Sequence, residues 1–453
     1  MIRRAVSYLD ERTGSLPIVR KALRYAFPDH WSFLLGEIAL YSFVVLVATG
    51  VYLTFFFEPS LKETVYNGSY EPLRGRSMSE AYRSVIDISF ETKAGLLIRQ
   101  AHHWAADVFL VAIVLHIMRV FFTGAFRKPR ELVYYVGLLM LMLALVEGFL
   151  GYSLVDDLLS GMGLAIAYSV VLSLPFIGGN LGLLLWGAPF PGDPSFESRM
   201  YVTHVFVLPL AIGALIGLHL LLITLNHHTQ FRRRGRSESR VVGLPAWPSY
   251  APRTVGLSLA VASVLFLLGG LVQINPIWLW GPYETAQATN GAQPDWYLGW
   301  LIGGLRLMPG FDVVVGDYTL IPNPFWGGAL FPLLVFGFLF AWPTIERRIT
   351  GDERFHNLVD RPRDVAWRTA TGAAFFTCVA VVFLAGAMDR AFVFFDLSYP
   401  AQVWVFRVLV FVAPVVAFFA VRRLCDELQE SERVEHARDE AQRRAVEEMS
   451  SRA

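Results

Sequence analysis

Cysteine is scarce: the 453-residue chain holds two, Cys378 and Cys425. Neither has a partner at Cys-x-x-Cys spacing, which excludes a thiolate metal cluster, a disulfide framework and a covalent Cys-x-x-Cys-His attachment. Each reads as a free buried thiol. Charge is low too, at 17% of residues, where soluble globular proteins carry about 25%. The net charge of +1 says nothing by itself about nucleic acid, and no basic block dominates any domain-sized stretch. The stretch before Trp31 is not expected to act as a secretory leader, because Arg3, Arg4, Arg12, Arg20, Lys21 and Arg24 interrupt it. Its spaced apolar residues, Ile2, Val6 and Leu9, suit a short helix on a membrane surface. Apolar residues dominate instead, at 55% of the chain with mean hydropathy +0.46.

These residues are grouped in runs. A helix crossing roughly 30 Å of hydrocarbon needs about 20 of them. Such runs cover 33–57, 95–122, 132–154, 201–225, 254–273, 325–346, 369–388 and 402–421. The sequence therefore predicts an all-α integral membrane protein of eight spans. A ninth apolar region, 158–188, is broken by Gly161, Gly163, Pro175, Gly178 and Gly179, and reads as a helical hairpin on a membrane face. Five segments are expected: a surface segment at 1–32, a four-helix bundle with the hairpin at 33–226, a connection at 227–253, a second four-helix region at 254–424, and a charged tail at 425–453. Arg127, Lys128, Arg130, Arg232, Arg233, Arg234, Arg236, Arg347, Arg348 and Arg354 crowd alternate connections. No Lys or Arg lies between Asp156 and Ser198. By the positive-inside rule both termini are cytoplasmic.

Histidines in the second and fourth spans carry the chemistry. His102 and His116 are 14 residues apart, close to four turns, and share one helix face. His204 and His219 are 15 apart, with a rotation that a bend near Pro209 would absorb. The two spans run parallel, so His102 is level with His204 and His116 with His219. His103 points about 100° away from that face. A lone intramembrane histidine is usually a hydrogen-bonded interior residue, but two matched pairs at two depths describe two bis-histidine haems. Gly36 and Gly50 repeat the 14-residue interval on the first span, and Gly137 and Gly151 repeat it on the third. Small-residue packing is common in membranes; the shared period favours clearance for a flat macrocycle. Arg99 and Arg119, flanking the two histidines on their helix, suit haem propionates; the alternative for Arg119 is an inside-positive anchor.

With these residues in view, the chain resembles cytochrome b of the respiratory cytochrome bc complex (complex III) over nearly its whole length. Arg99-Gln-Ala-His102, His116-Ile-Met-Arg119, Gly151-Tyr152, His204-Val-Phe-Val-Leu-Pro209 and Pro294-Asp295-Trp296-Tyr297 carry the resemblance. It implies two non-covalent b haems, the outer of lower and the inner of higher potential, ligated by His102/His204 and His116/His219. It also implies an outer quinol site at Gly163, Pro294, Asp295, Trp296 and Tyr297. There Asp295, where many members have Glu, and Tyr297 take protons; the alternative for Asp295 is a helix N-terminal cap. One quinol electron is expected to pass to a Rieske iron–sulfur protein and the other through the haems to an inner quinone site. For that inner site Asn226, His227, His228, Asp352 and Asp360 are candidates.

Asp156-Asp157, the Asp295 variant and the residues His228-Thr-Gln-Phe231 resemble the actinobacterial branch, which implies menaquinol. The alternative for the acidic pair is a solvated helix start. The expected partners are the Rieske protein, a c-type cytochrome, a second copy of the complex and a terminal oxidase. Two other classes compete. A di-haem anchor of a hydrogenase or formate dehydrogenase would be smaller and lack the Pro-Asp-Trp-Tyr loop, and a secondary transporter would carry internal repeats.

Overall fold

The computed structural model describes residue 8 and residues 10–233, 235–287 and 295–452. The expected surface helix at Ile2, Val6 and Leu9 and the loop residue Pro294 lie outside the described residues. Helix α1 (Leu16–Leu23) precedes the first span, α2 (Leu34–Thr54). A short helix, α3 (Glu80–Phe90), leads into α4 (Gly95–Phe122), and α5 (Glu131–Ser153) returns. The hairpin is α6 (Leu158–Leu172) and α7 (Gly178–Trp186), followed by α8 (Phe196–Asn226) and α9 (Ala251–Leu271). Then come α10 (Gly299–Leu307), α11 (Phe331–Thr350), α12 (Ala366–Ala385), α13 (Met388–Phe395) and α14 (Tyr399–Arg452). Eight of these helices, extended in places by adjoining turns, are long and apolar enough to span a membrane. The charged tail continues the last span without a break.

Their outward faces are apolar. Leu210, Leu221 and Leu225 on α8 and Phe411, Val415 and Val416 on α14 are more than half exposed. Lipid satisfies such side chains but no backbone group, and helices close their own hydrogen bonds. Helix α4 packs against α2, α5 and α9. Ala101 and Ala105 are fully buried there, and Gly269 of α9 meets the backbone of Ala101, so small residues let these helices approach closely.

Short pairings fix the ends. Ala26–Phe27 pairs with Leu244–Pro245, and Gln230–Phe231 with Leu358–Val359, so these connections share the face nearest the N-terminus. Arg130 reinforces this face by donating to the carbonyls of Asn226 and His227 and to Asn357 Oδ1. Deeper in, Arg368 bridges Glu346 and Asp360, and Arg127 also pairs with Asp360. On the opposite face, Leu158 N donates to Gly281 O and Tyr283 N to Asp156 O, both at 3.0 Å. The connection after α9 is thereby laid against the start of the hairpin.

Candidate functional site

Each of the four paired histidines lies against one of the four periodic glycines. A Cβ built on Gly50 would come 3.2 Å from His102 Cε1, and one on Gly36 would come 3.3 Å from His116 Cε1. On the other side, Gly151 would meet His204 Cε1 at 2.5 Å and Gly137 would meet His219 Cε1 at 3.8 Å. Helices α2 and α4 therefore match at two levels, as do α5 and α8. The rings of His102 and His204 meet edge to face, with centroids 6.4 Å apart.

The extra residue between His204 and His219 is taken up by a widened turn at Thr203–Val207. Pro209 follows it; proline lacks an N–H and crowds the preceding turn, which favours such a local expansion. One inserted residue would otherwise rotate His204 about 100° out of register.

Hydrogen bonds set the ring tautomers. Thr49 Oγ1 donates to Val45 O at 2.7 Å, so its oxygen accepts from His102 Nδ1 at 2.9 Å. His204 Nδ1 donates to the Glu147 carbonyl at 3.1 Å, with a Glu147 carboxylate oxygen also at 3.1 Å. Both contacts leave Nε2 as the lone-pair nitrogen, the state a metal-ligating imidazole needs. Thr49 and Glu147 are absent from the sequence-stated site; only the fold brings them to the rings.

The site fits haem on several counts. Buried His116 Nδ1 has no hydrogen-bond partner, nor do Arg119 Nε and Nη2 or Arg99 Nε. Arg119 lies over the Phe33 ring at 4.3 Å, while Arg99 donates to Asn275 O at 3.3 Å. Two cations next to the histidine levels suit a dianionic macrocycle. Among the described residues no group of three or more His, Cys, Asp or Glu could hold a metal ion. Two imidazoles per level are too few for a bare transition metal, and suffice for an iron that brings four nitrogens of its own.

The second centre is the loop before α10. Asp295 precedes a single turn, Trp296–Leu298, yet its side chain caps nothing. Instead Asp295 Oδ1 lies 2.9 Å from His103 Nε2, and Oδ2 accepts from the Tyr297 hydroxyl at 3.0 Å. Trp296 Nε1 donates to Asp107 Oδ1 at 2.8 Å, and Trp300 Nε1 to Tyr297 O at 2.8 Å. Sequence reasoning turned His103 away from the haem face and assigned it nothing. Asp107, one turn further along the same face, was missed altogether, though a carboxylate inside an apolar run is itself a signal. Burial, and then the neighbouring carboxylate, push the Tyr297 hydroxyl well above its ordinary range, so it stays protonated. Gly148 makes room for it: a Cβ there would come 2.7 Å from Tyr297 Oη.

Gly163 has a wider berth, 3.7 Å from Tyr152 Cε1, and the tighter glycine of the hairpin is Gly161, against the Tyr283 ring. An apolar cleft of about 350 Å³ lies beside it, lined by Met162, Ile166, Val170, Leu305 and Pro324 among others. Asp157 caps α6: its Oδ1 accepts from Ser160 N at 2.9 Å while Ser160 Oγ lies 3.0 Å from its own N. Burial raises its carboxyl to about 6 and that of Asp156 to about 7.

The candidates near the N-terminal face are mostly occupied. Asp352 pairs with Arg354 and His356, and Asp360 with Arg127 and Arg368. The carbonyls of Asn226 and His227 accept from Arg130, and the His228 ring packs on Phe27 at 5.2 Å. Burial holds His228 down to about 4.

Comparisons with known proteins place the chain among its relatives. Residues 107–282 match the family model described as cytochrome b (N-terminal)/b6/petB. A cytochrome bc1 complex cytochrome b subunit of Streptomyces coelicolor is 45% identical over 439 residues, spanning 96% of this chain and 80% of that protein. The protein of the same name in Mycobacterium tuberculosis is 47% identical over 434 residues, spanning 96% and 78%. The solved structure of a hyperthermophilic respiratory complex III is 19% identical, with TM-score 0.68 over 92% of this chain and 99% of its own.

Proposed function

Since the chain belongs to the cytochrome b subunits of the cytochrome bc1 complex, we propose that it oxidises menaquinol on the face opposite its termini and reduces quinone on the face that carries them. It is the membrane subunit of a quinol–cytochrome c reductase, with a Rieske protein and a c-type cytochrome as partners. Bound at the two histidine levels, b haems supply one-electron carriage across the bilayer, one branch of a bifurcated oxidation whose other branch is the Rieske protein. His102 and His204 would hold the first haem and His116 and His219 the second; the Nδ1 hydrogen bonds of His102 and His204 leave their Nε2 lone pairs available as ligands. Arg99 and Arg119 neutralise propionates. Gly36, Gly50, Gly137 and Gly151 keep the helices clear of the rings. The arginine-rich face is cytoplasmic, so both termini are inside.

At the outer site the hairpin around Gly163 and the loop Asp295–Tyr297, preceded in sequence by Pro294, border the quinol. Asp295 takes a quinol proton: each of its oxygens has a second lone pair beyond the hydrogen bonds from His103 and Tyr297. Tyr297 holds the carboxylate without ionising. At the inner site Asn226, His227, His228, Asp352 and Asp360 surround the cytoplasmic ends of α8 and α12. Proton uptake inside and release outside contribute to translocation, and the complex works as a dimer coupled to a terminal oxidase.

The observation that carries this reading is the match of four histidines to four glycines at two levels. A reduced-minus-oxidised spectrum of the purified complex tests it. Two b-type components are expected, one lost on changing either member of a pair. A single component, or loss of both on changing His204 alone, would overturn it. Asp295→Asn tests the proton role: menaquinol oxidation slows while both spectra persist.

A further inference from the structure

Helix α4 presents a second working face. His102 belongs to the paired levels, and the next residue, His103, points about 100° round the helix, away from them. Its Nε2 reaches Asp295 Oδ1 at 2.9 Å. A carboxylate only accepts, so Nε2 donates. One turn along the same stripe, Asp107 Oδ1 accepts from Trp296 Nε1 at 2.8 Å. These contacts are sheltered: Asp107 is 7% exposed, and the His103 and Asp295 side chains are 14% and 16% exposed. Asp295 itself sits on a single turn with no cap of its own. Two successive residues of the loop are thus tied to two residues of α4 spaced four apart, a register that a helix face and a turn share only in one alignment.

We infer that His103 and Asp107 are positioning residues for quinol oxidation, clamping Asp295 and Trp296 to the helix that bears His102. The inference rests on the reading of Asp295 as proton acceptor. The clamp sets the distance between the group that takes the proton and the level where the electron enters. Neither residue touches quinol in this arrangement. Hydrogen-bond donation from His103 to Oδ1, with Tyr297 on Oδ2, holds the carboxylate plane and leaves its remaining lone pairs free to accept. Misplacing a reacting group by about 1 Å costs on the order of a hundredfold in rate, so the clamp acts on kcat and leaves KM for quinol nearly unchanged.

The purified complex supplies the test, with a menaquinol analogue as donor and single-turnover reduction of the b haems as readout. His103→Ala lowers kcat on the order of tenfold to a hundredfold, and His103→Gln, which keeps an N–H, recovers to within about threefold. Asp107→Leu slows the same step, while Asp107→Asn retains a carbonyl for the indole and the rate. In an Asp295→Asn background His103→Ala adds less than about twofold, because both changes remove one interaction. An H103A complex with normal kcat, or one whose loss multiplies with that of D295N, overturns the inference while D295N alone stays slow. Loss of the b spectrum in both H103A and D107L overturns it too, since the contacts would then serve assembly. A normal D295N removes the acceptor reading and the clamp with it.

Discussion

Replacing Gly151 by Ala separates haem clearance from ordinary helix packing. The added Cβ would stand 2.5 Å from His204 Cε1, 3.0 Å from Nε2 and 3.2 Å from Nδ1, about 0.9 Å inside ordinary contact at the nearest atom. The ring has little room to yield, because Nδ1 is bound to the Glu147 carbonyl at 3.1 Å. Overpacking of this kind costs about 1–3 kcal/mol, against a gain of about 1 kcal/mol in helix propensity from losing a glycine. The net effect on folding is small, so α5 persists and the strain falls on the imidazole. Gly137→Ala is the internal control: its Cβ would lie 3.8 Å from His219 Cε1, an ordinary contact. Haem-to-protein ratio and redox titration of the two b components provide the assay. G151A should lose or shift the component ligated by His204, by more than G137A shifts the component ligated by His219. Equal behaviour of the two variants, or a G151A complex with two unshifted b haems, would refute the reasoning.

Other outcomes follow from the same contacts. His219→Leu should remove one b component and leave the His102/His204 component, read from the difference spectrum at full reduction. Asp295→Glu should keep much of the quinol oxidation rate that Asp295→Asn loses, measured with the same menaquinol analogue. Tyr297→Phe should slow that rate less than Asp295→Asn, because the hydroxyl donates to Asp295 and stays protonated; a larger loss in Y297F would make it the acceptor. Asp156 has its carboxyl raised from 3.8 to about 7 by burial, so the folded state binds that proton more tightly than the unfolded chain. Its stabilising protonation is complete below the unfolded value and lost as pH rises through about 7. Thermal melts in detergent between pH 5 and 8 should therefore fall less steeply in Asp156→Asn than in the unchanged protein.

The eight spans were legible because lipid demands apolar runs of one length; seven emerge within eight residues of their expected ends, and the last continues as helix well past residue 421 into the charged tail. The four paired histidines were legible because helical periodicity converts a spacing of 14 into a shared face. Asp295 drew attention through its motif. A capping role was the lesser alternative in sequence, and in the fold the side chain makes no cap bond, its carboxylate being turned to His103 instead. For Asp157 the helix-start alternative describes what its side chain does.

What sequence alone determined is everything that depends on local periodicity: membrane class, span count, the hairpin, and which histidines share a helix face. Only the tertiary structure decided which side chains meet across long separations. His103 and Asp295 are 192 residues apart, Trp296 and Asp107 are 189, and Thr49 and His102 are 53. Periodicity places a residue on a face of its own helix but carries no information about which face the neighbour presents. That depends on how closely small residues let two backbones approach, and on the widened turn that holds His204 level with His102.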